Sequence, residues 1–118
     1  MRNKFADTLN KISLEDDKIC ALVADISPAG SMVEFRKNNP DKFINCGVAE
    51  QAMIGLAAGL AMEGFKPFCY TISTFSLFRP YEMIRVDLCY QNLIFYHSQH
   101  FFFLLLKPSL MIVMILIH

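Results

Sequence analysis

The sequence lacks an excess of either charge, since eleven lysines and arginines are balanced by eleven aspartates and glutamates in 118 residues. It therefore lacks the basic surface that nucleic-acid-binding proteins need, and we expect no nucleic-acid partner. The amino-terminal segment MRNKFADTLNKI contains none of the apolar stretch of a secretory signal. From that absence we expect a cytoplasmic protein.

Closely spaced cysteines are absent as well. Cys20, Cys46, Cys69 and Cys89 form no C-x-x-C motif, and no histidine stands at ligand spacing from them. Two disulfides could join them in principle. Each cysteine lies in an apolar or strand-like run, however, where a free thiol packs as a small hydrophobic side chain. We therefore expect reduced thiols, and no metal ligands within this chain.

Charge is scarce in the last part of the chain, where Lys107 is the only lysine, arginine, aspartate or glutamate after Asp87. The apolar segment Leu93–His118 is divided by polar residues and a proline into two runs. Each run is shorter than the roughly 20 residues of a transmembrane helix, so we expect no membrane partner. We predict a domain over residues 1–92 and an aberrant apolar tail over residues 93–118. The tail could be a truncated end, a core strand with a partner-facing surface, or a membrane-associated segment.

The apolar residues that are present, 54% of the chain, suffice for the core of one folded domain. Compact apolar runs typical of buried strands alternate with segments of helical periodicity. This alternation predicts an α/β domain with a mostly parallel sheet flanked by helices. The predicted strands are Lys18–Ile26, Lys42–Cys46 and Lys66–Ile72, and the predicted helices are 2–14, Ser31–Lys37, Ala49–Met62 and, with Pro80 inside it, Phe75–Gln91.

Chemically distinctive residues follow the predicted strands. Asp25 ends the first strand, Gly47–Glu50 follows the second, and Ser73–Phe78 follows the third. Because ligands of parallel α/β sheets bind at the carboxyl ends of the strands, we expect these segments to lie on one edge.

Glu50 is the one carboxylate near the start of a helix whose other positions are almost all small or apolar. An ionised carboxylate is expensive to desolvate, so Glu50 either points to solvent at the helix start or meets a ligand there. Gly55 and Gly59 weaken the same helix, which indicates close approach of another backbone, from a strand, a helix or a second subunit.

Four segments together resemble the pyrimidine-binding domain of the transketolase family, in the form of a separate carboxyl-terminal section found in split transketolases. They are ALVADIS, FINCGVAEQAMIGLAAGLAMEGFKPF, STFSLFRPY and EMIRVD, and the resemblance extends over residues 2–92. It implies the thiamine-diphosphate-binding fold, incomplete at the carboxyl terminus because the family continues after Asn92 with further strands.

The resemblance also implies roles for five residues. Glu50 matches the catalytic glutamate that shares a proton with the aminopyrimidine ring of thiamine diphosphate. Phe75, Phe78 and Tyr81 match aromatic residues that line the ring pocket, where flat rings stack favourably. Asp25 matches an acidic residue near the cofactor. An ordinary core role for Phe78 and Tyr81 remains an equal alternative.

One motif of the family is missing, a G-D-G followed by Asn that anchors magnesium and the diphosphate. A hard cation needs such oxygen ligands, so we expect a partner chain to hold Mg²⁺ and the diphosphate in a homo- or hetero-oligomer. The implied function is transfer of a two-carbon ketol unit between sugar phosphates, as in pentose phosphate metabolism. The alternatives are a domain like that of 1-deoxy-D-xylulose-5-phosphate synthase, a domain like the β half of 2-oxo-acid dehydrogenases, and a truncated, non-catalytic remnant.

Overall fold

The computed structural model describes residues 2–26, 31–93, 95–99 and 102–106. Helices and strands alternate over most of this length. In chain order they are α1 (Arg2–Ser13), β1 (Ile19–Val23), α2 (Ser31–Asn38), a 3₁₀ turn (Pro40–Lys42), β2 (Phe43–Asn45), α3 (Glu50–Met62), β3 (Lys66–Thr71), α4 (Ser73–Leu77), α5 (Tyr81–Met83), a π-helical segment (Ile84–Tyr90), β4 (Phe95–Gln99) and β5 (Phe102–Leu106).

The strands form one sheet in the order β2-β1-β3-β4-β5. β1 is parallel to both β2 and β3, β3 is parallel to β4, and only the β4–β5 pair is antiparallel. The expected α/β fold with a mostly parallel sheet is confirmed. In the register, Val23 lies opposite Asn45 on one side and Tyr70 on the other, so three strands end at the same level.

Both faces of the sheet are covered by helices, and β1 shows why. All five of its residues are buried, and alternate residues face opposite sides. Ile19, Ala21 and Val23 belong to a core shared with α1 and α2, whereas Cys20 and Leu22 belong to a core shared with α3 and the π-helical segment. A strand buried on both faces is typical of a parallel sheet between helix layers.

Helix α3 packs through one stripe of its surface. Its buried residues are Glu50, Met53, Ile54, Ala57 and Ala58, which follow the spacing of one helical face. Gly55 and Gly59 lie on the other, exposed face, and a Cβ added to either would meet no atom of the described chain within 4 Å. No described element therefore makes the close approach that these glycines predict.

The region predicted as one helix over Phe75–Gln91 is instead divided. Helix α4 starts at Ser73, directly after Ile72 and two residues before the predicted start at Phe75. Pro80 lies between α4 and α5, where its missing N–H and its ring interrupt a regular helix. The interruption expected at this proline is confirmed.

Strands β4 and β5 both come from the segment that we expected to be an apolar tail. β4 extends the parallel sheet beside β3, with His97 opposite Cys69, and β5 adds the antiparallel edge. Residues 107–118 lie outside the described part of the chain, and the domain boundary at residue 92 stays a prediction. Among the described residues, no helix is long and apolar enough to cross a lipid bilayer.

Candidate functional site

The three segments that follow β1, β2 and β3 meet on one edge of the sheet, as the parallel topology predicts. Asn45, the last residue of β2, links two of them through its amide group. Its Oδ1 accepts hydrogen bonds from the backbone N–H groups of Asp25 and Gly47, both at 3.0 Å, and its Nδ2 donates to Asp25 Oδ1 at 3.4 Å. Asp25 and Gly47 both adopt positive φ angles, of 48° and 69°.

Glu50 is the first residue of α3, directly after this edge. It heads the inward stripe of the helix, and only 4% of its surface is exposed. A carboxylate at a helix amino terminus is favoured by the helix dipole, but burial removes the water that would otherwise solvate it. Of the two interpretations from sequence, the solvated acid is therefore wrong, because the side chain points into the protein.

Arg79 is the partner that compensates for this burial. Its Nη1 donates to both carboxylate oxygens of Glu50, at 3.1 Å to Oε1 and 3.2 Å to Oε2. The exposure of the pair is unequal, with 5% of the Glu50 side chain and 47% of the Arg79 side chain accessible to solvent. The buried charge is thus paired with one that reaches in from the surface.

Phe75 completes this arrangement. The guanidinium carbon of Arg79 lies 3.7 Å from the centroid of the Phe75 ring, within the range of a cation–π contact. Gln51 holds the backbone of the same residue, because its Nε2 donates to the Arg79 carbonyl oxygen at 3.2 Å. The start of α3 therefore fixes both the side chain and the backbone of Arg79, whose guanidinium group contacts the Glu50 carboxylate and the Phe75 ring.

The other predicted site residues lie further from this group. Phe78 is 71% exposed and Tyr81 is 56% exposed, so neither is an ordinary core residue in the described chain. Asp25 is exposed, and its described contacts are with Asn45. The contacts of these three residues include none with Glu50 or Phe75 among the described ones, and their roles in ring binding stay predictions.

Sequence reasoning missed the roles of Arg79 and Asn45. From sequence alone, Arg79 could be a ligand of phosphate or sugar substrates or simply a solvated side chain. The signal that could have identified it is the buried carboxylate, which requires a cation from another segment on the same edge. Arg85, by contrast, forms an exposed pair with Glu82, and the hydrogen bond from Arg85 lowers the pKa of that carboxyl.

The four cysteines are free thiols, and Cys20 and Cys69 are fully buried. Burial raises the pKa of Cys20 to about 11 and also raises the pKa of Cys46, which lies just after β2. Neutral thiols of this kind are poor nucleophiles at neutral pH. Within the described residues, no group of three His, Cys, Asp or Glu side chains could hold a metal ion.

The chemistry of this edge fits one part of thiamine diphosphate. A buried carboxylate accepts hydrogen bonds from a planar, multiply protonated nitrogen group that stacks on a phenylalanine. An aminopyrimidine ring is likewise flat and carries N–H donors, so Glu50 and Phe75 suit its edge and its face. Among the described residues, no cluster of His, Cys, Asp or Glu side chains could hold the magnesium ion of the cofactor.

Known proteins resemble this chain in sequence. The family model "Transketolase, pyrimidine binding domain" matches residues 1–99. The 1-deoxy-D-xylulose-5-phosphate synthase of Clostridium perfringens strain SM101 is 42% identical over 89 residues, which are 75% of this chain and 14% of that protein. The 1-deoxy-D-xylulose-5-phosphate synthase 1 of Geobacter sulfurreducens shows the same identity and coverage. The chain thus spans 14% of the length of these curated relatives.

A solved structure resembles it in fold as well. The chain described as "Split gene transketolase, inactive beta4 tetramer" matches with a TM-score of 0.73 and 36% sequence identity, over 80% of this chain and 32% of that one. The resemblance inferred from the sequence motifs is thereby confirmed. With its Glu-centred helix, its sheet and its sequence all in agreement, the chain belongs to the transketolase family of pyrimidine-binding domains.

Proposed function

We propose that this chain is the pyrimidine-side half of a thiamine-diphosphate-dependent enzyme that transfers a two-carbon ketol unit between sugar phosphates. The observation that supports this proposal is the buried carboxylate of Glu50 at the carboxyl edge of a parallel sheet, joined to the Phe75 ring through the Arg79 guanidinium that contacts both. A carboxylate is an unusual side chain at a buried position, and a ligand that bonds to it would explain its presence there.

Thiamine diphosphate, when bound, supplies a carbon nucleophile and an electron sink for the transfer. The part of this chain is to hold the aminopyrimidine ring. Glu50 shares a proton with the ring nitrogen opposite the amino group, through a hydrogen bond between its carboxyl group and that nitrogen. The surrounding core excludes water from that bond, which strengthens it. Phe75 stacks on the ring and fixes its plane.

Phe78, Tyr81 and Asp25 belong to the outer part of the proposed site. The two aromatic side chains are exposed, so they are available to the cofactor or to a partner surface that closes over it. Asp25 lies beside the loop that leads into α3, to which Asn45 joins it. We propose that it borders the cofactor without contacting the ring.

The rest of the site comes from a partner chain in this proposal. That partner supplies the ligands of Mg²⁺ and the diphosphate, for which the described residues offer no cluster. Open space beside Gly55 and Gly59 on the exposed face of α3 suits a subunit contact in a homo- or hetero-oligomer. The fold neighbour that is described as a split-gene tetramer is consistent with such an assembly.

Co-expression with a diphosphate-domain chain, followed by a ketol-transfer assay with xylulose 5-phosphate as donor, tests the proposal. We expect activity from the wild type and a loss of at least about 100-fold in Glu50→Gln, since general acid–base groups contribute factors of this size. Glu63→Gln, an exposed acid just after α3, is the matched control and should keep full activity. No activity with wild type, or equal activity with Glu50→Gln, would contradict the catalytic role.

A second candidate function is favoured by the sequence relatives. The curated proteins named above are 1-deoxy-D-xylulose-5-phosphate synthases at 42% identity, so a domain of that enzyme class is the main alternative. Assaying the same reconstituted pair with pyruvate in place of xylulose 5-phosphate separates the two. Activity with a 2-oxo acid and an acyl acceptor instead would indicate a 2-oxo-acid dehydrogenase β half. Inactivity with every substrate would indicate a non-catalytic remnant.

A further inference from the structure

Arg79 occupies both attachment points that the cofactor ring would use. Its guanidinium group is hydrogen-bonded to both oxygens of Glu50 and lies over the Phe75 ring. We propose that Arg79 is a built-in substitute for the aminopyrimidine, which holds the ring site closed until the cofactor displaces it. The inference rests on the proposed function, because it takes the ring to bind between Glu50 and Phe75.

The two occupants are mutually exclusive for steric reasons. At 3.7 Å from the ring centroid, the guanidinium carbon is at an ordinary stacking distance, so no second flat group fits between it and Phe75. The hydrogen bonds of 3.1 Å and 3.2 Å direct the same nitrogen of Arg79 at both oxygens of Glu50. A ring nitrogen that forms a hydrogen bond with the Glu50 carboxyl from the Phe75 face must take the place of that arginine nitrogen.

Of the two paired residues, Arg79 is the one whose side chain can move out of the site. Nearly half of its side chain is exposed, whereas the carboxylate is almost fully enclosed at the head of α3. Its backbone is held separately, through the hydrogen bond from Gln51 to its carbonyl oxygen. The side chain can therefore rotate towards solvent while the turn between α4 and α5 stays in place.

The pairing of Arg79 with Glu50 in place of the ring has an energetic reason. A buried carboxylate with neither arginine nor ring would be an uncompensated charge, which is strongly unfavourable. Arg79 satisfies Glu50 in the cofactor-free chain, and cofactor binding must replace that pair. Arg79 therefore stabilises the free chain and weakens ring binding.

Thiamine is a suitable probe, because it carries the aminopyrimidine but lacks the diphosphate and so needs no partner. Its affinity for the full chain is measured by the change of its pyrimidine proton signal in NMR titrations. We expect Arg79→Ala to bind thiamine about threefold to tenfold more tightly than wild type, as the loss of a competing charged contact implies. Arg85→Ala, which removes an exposed arginine paired only within its own helix, should bind like wild type.

A second variant and a direct measurement test the inference even if Arg79→Ala does not fold. Arg79→Lys keeps the positive charge beside Glu50 but has no flat face for Phe75, so it should also bind thiamine more tightly than wild type. In the wild type, the Arg79 side-chain protons should lose the upfield shift caused by the Phe75 ring as thiamine is added.

The outcomes separate this inference from the proposed function. If Arg79→Ala and Arg79→Lys bind thiamine no more tightly than wild type while Glu50→Gln loses binding, the inference is overturned and the proposed function stands. If neither the wild type nor any variant binds thiamine, the inference is overturned, and the ketol-transfer assay of the reconstituted pair decides the proposed function separately. Arg79 signals that stay unchanged when thiamine saturates the wild type would also overturn the inference.

Discussion

The amide group of Asn45 holds the site edge together at the level of single residues. It accepts two backbone hydrogen bonds and donates one to a carboxylate, and so joins the end of β1 to the loop before α3. Asp25 adopts a left-handed conformation at this point, which is unfavourable for residues other than glycine. The hydrogen bonds from and to Asn45 offset that cost.

We therefore expect Asn45→Ala to lower the free energy of unfolding by about 0.5–1.5 kcal/mol, because two backbone donors and a carboxylate lose a partner at an exposed position. Urea denaturation followed by circular dichroism measures the change. Asn38→Ala, at the exposed end of α2, removes the same side chain away from this edge and should change the stability by less than about 0.5 kcal/mol. Equal effects of the two substitutions would contradict the bridging role.

The buried thiol of Cys20 predicts a pH dependence of stability. Its pKa is about 11 in the folded chain, because burial disfavours the thiolate, whereas the ordinary value is 9.0. The raised pKa stabilises the folded chain fully below pH 9, and this contribution is lost as the pH rises towards 11. We expect it to reach about 1–3 kcal/mol. Denaturation at several pH values should show a smaller decline above pH 9 in Cys20→Ala than in wild type, and an equal decline would contradict this assignment.

Helix α3 carries two different faces. The inward stripe repeats at three and four residues and places Glu50 in the core, and the outward face has small residues with open space beside them. The inward stripe is explained by packing within the chain. The outward face has no such explanation in the described residues, and a subunit contact would supply one.

Replacing Gly55 or Gly59 by alanine should have opposite effects on folding and on assembly. In the separate chain each substitution should stabilise α3 by up to about 1 kcal/mol, since alanine is the better helix former and nothing lies within 4 Å of the new methyl group. In a subunit interface the same methyl group should obstruct close packing. Thermal unfolding of the monomer and sedimentation of the assembly measure the two effects.

Gly64 is the matched control for these substitutions, because its φ of +80° is strained for any side chain. Gly64→Ala should destabilise the chain by about 1 kcal/mol while leaving assembly unchanged. If Gly55→Ala and Gly59→Ala leave both stability and assembly as in wild type, the proposed contact at this face is contradicted.

Local sequence patterns predicted the central strands and α3 well, because the apolar residues that define each pattern are also the residues that the structure buries. The region after β3 was predicted less well. Its apolar periodicity is that of one continuous helix, but a proline and a π-helical segment divide it. In the candidate site, the motif predicts a role for Glu50, which stays a prediction, and it gives no indication of the observed pairing of Glu50 with Arg79. That pair joins residues from two separate elements, and no local pattern reports such a contact.

The molecule as a whole extends its sheet beyond the predicted boundary at residue 92. β4 covers the side of β3 that would otherwise be an open edge, and β5 covers β4 in turn. Unpaired edges of apolar strands promote association between chains. This part of the chain therefore contributes to the fold even though its composition resembles no ordinary soluble surface.

A variant that ends at residue 93 should show how much β4 contributes. We expect a lower unfolding temperature and a greater tendency to aggregate than in the full chain, because β3 loses its parallel neighbour. A second variant that ends at residue 106 keeps β4 and β5 and should behave like the full chain. If the shorter variant is as stable and as soluble as the full chain, residues 93–118 are a tail outside the domain.

The position of β1 in the sheet bears on how the chain emerges from the ribosome. β1 is synthesised before both of its neighbours, because β2 and β3 come later in the chain. Until β2 and β3 have been synthesised, the five residues of β1 (ICALV), which are all buried in the folded chain, have no strand to pair with. Long-range parallel pairing of this kind forms slowly, and an exposed apolar strand is prone to aggregation. The nascent chain should therefore depend on a chaperone between synthesis of β1 and completion of β3.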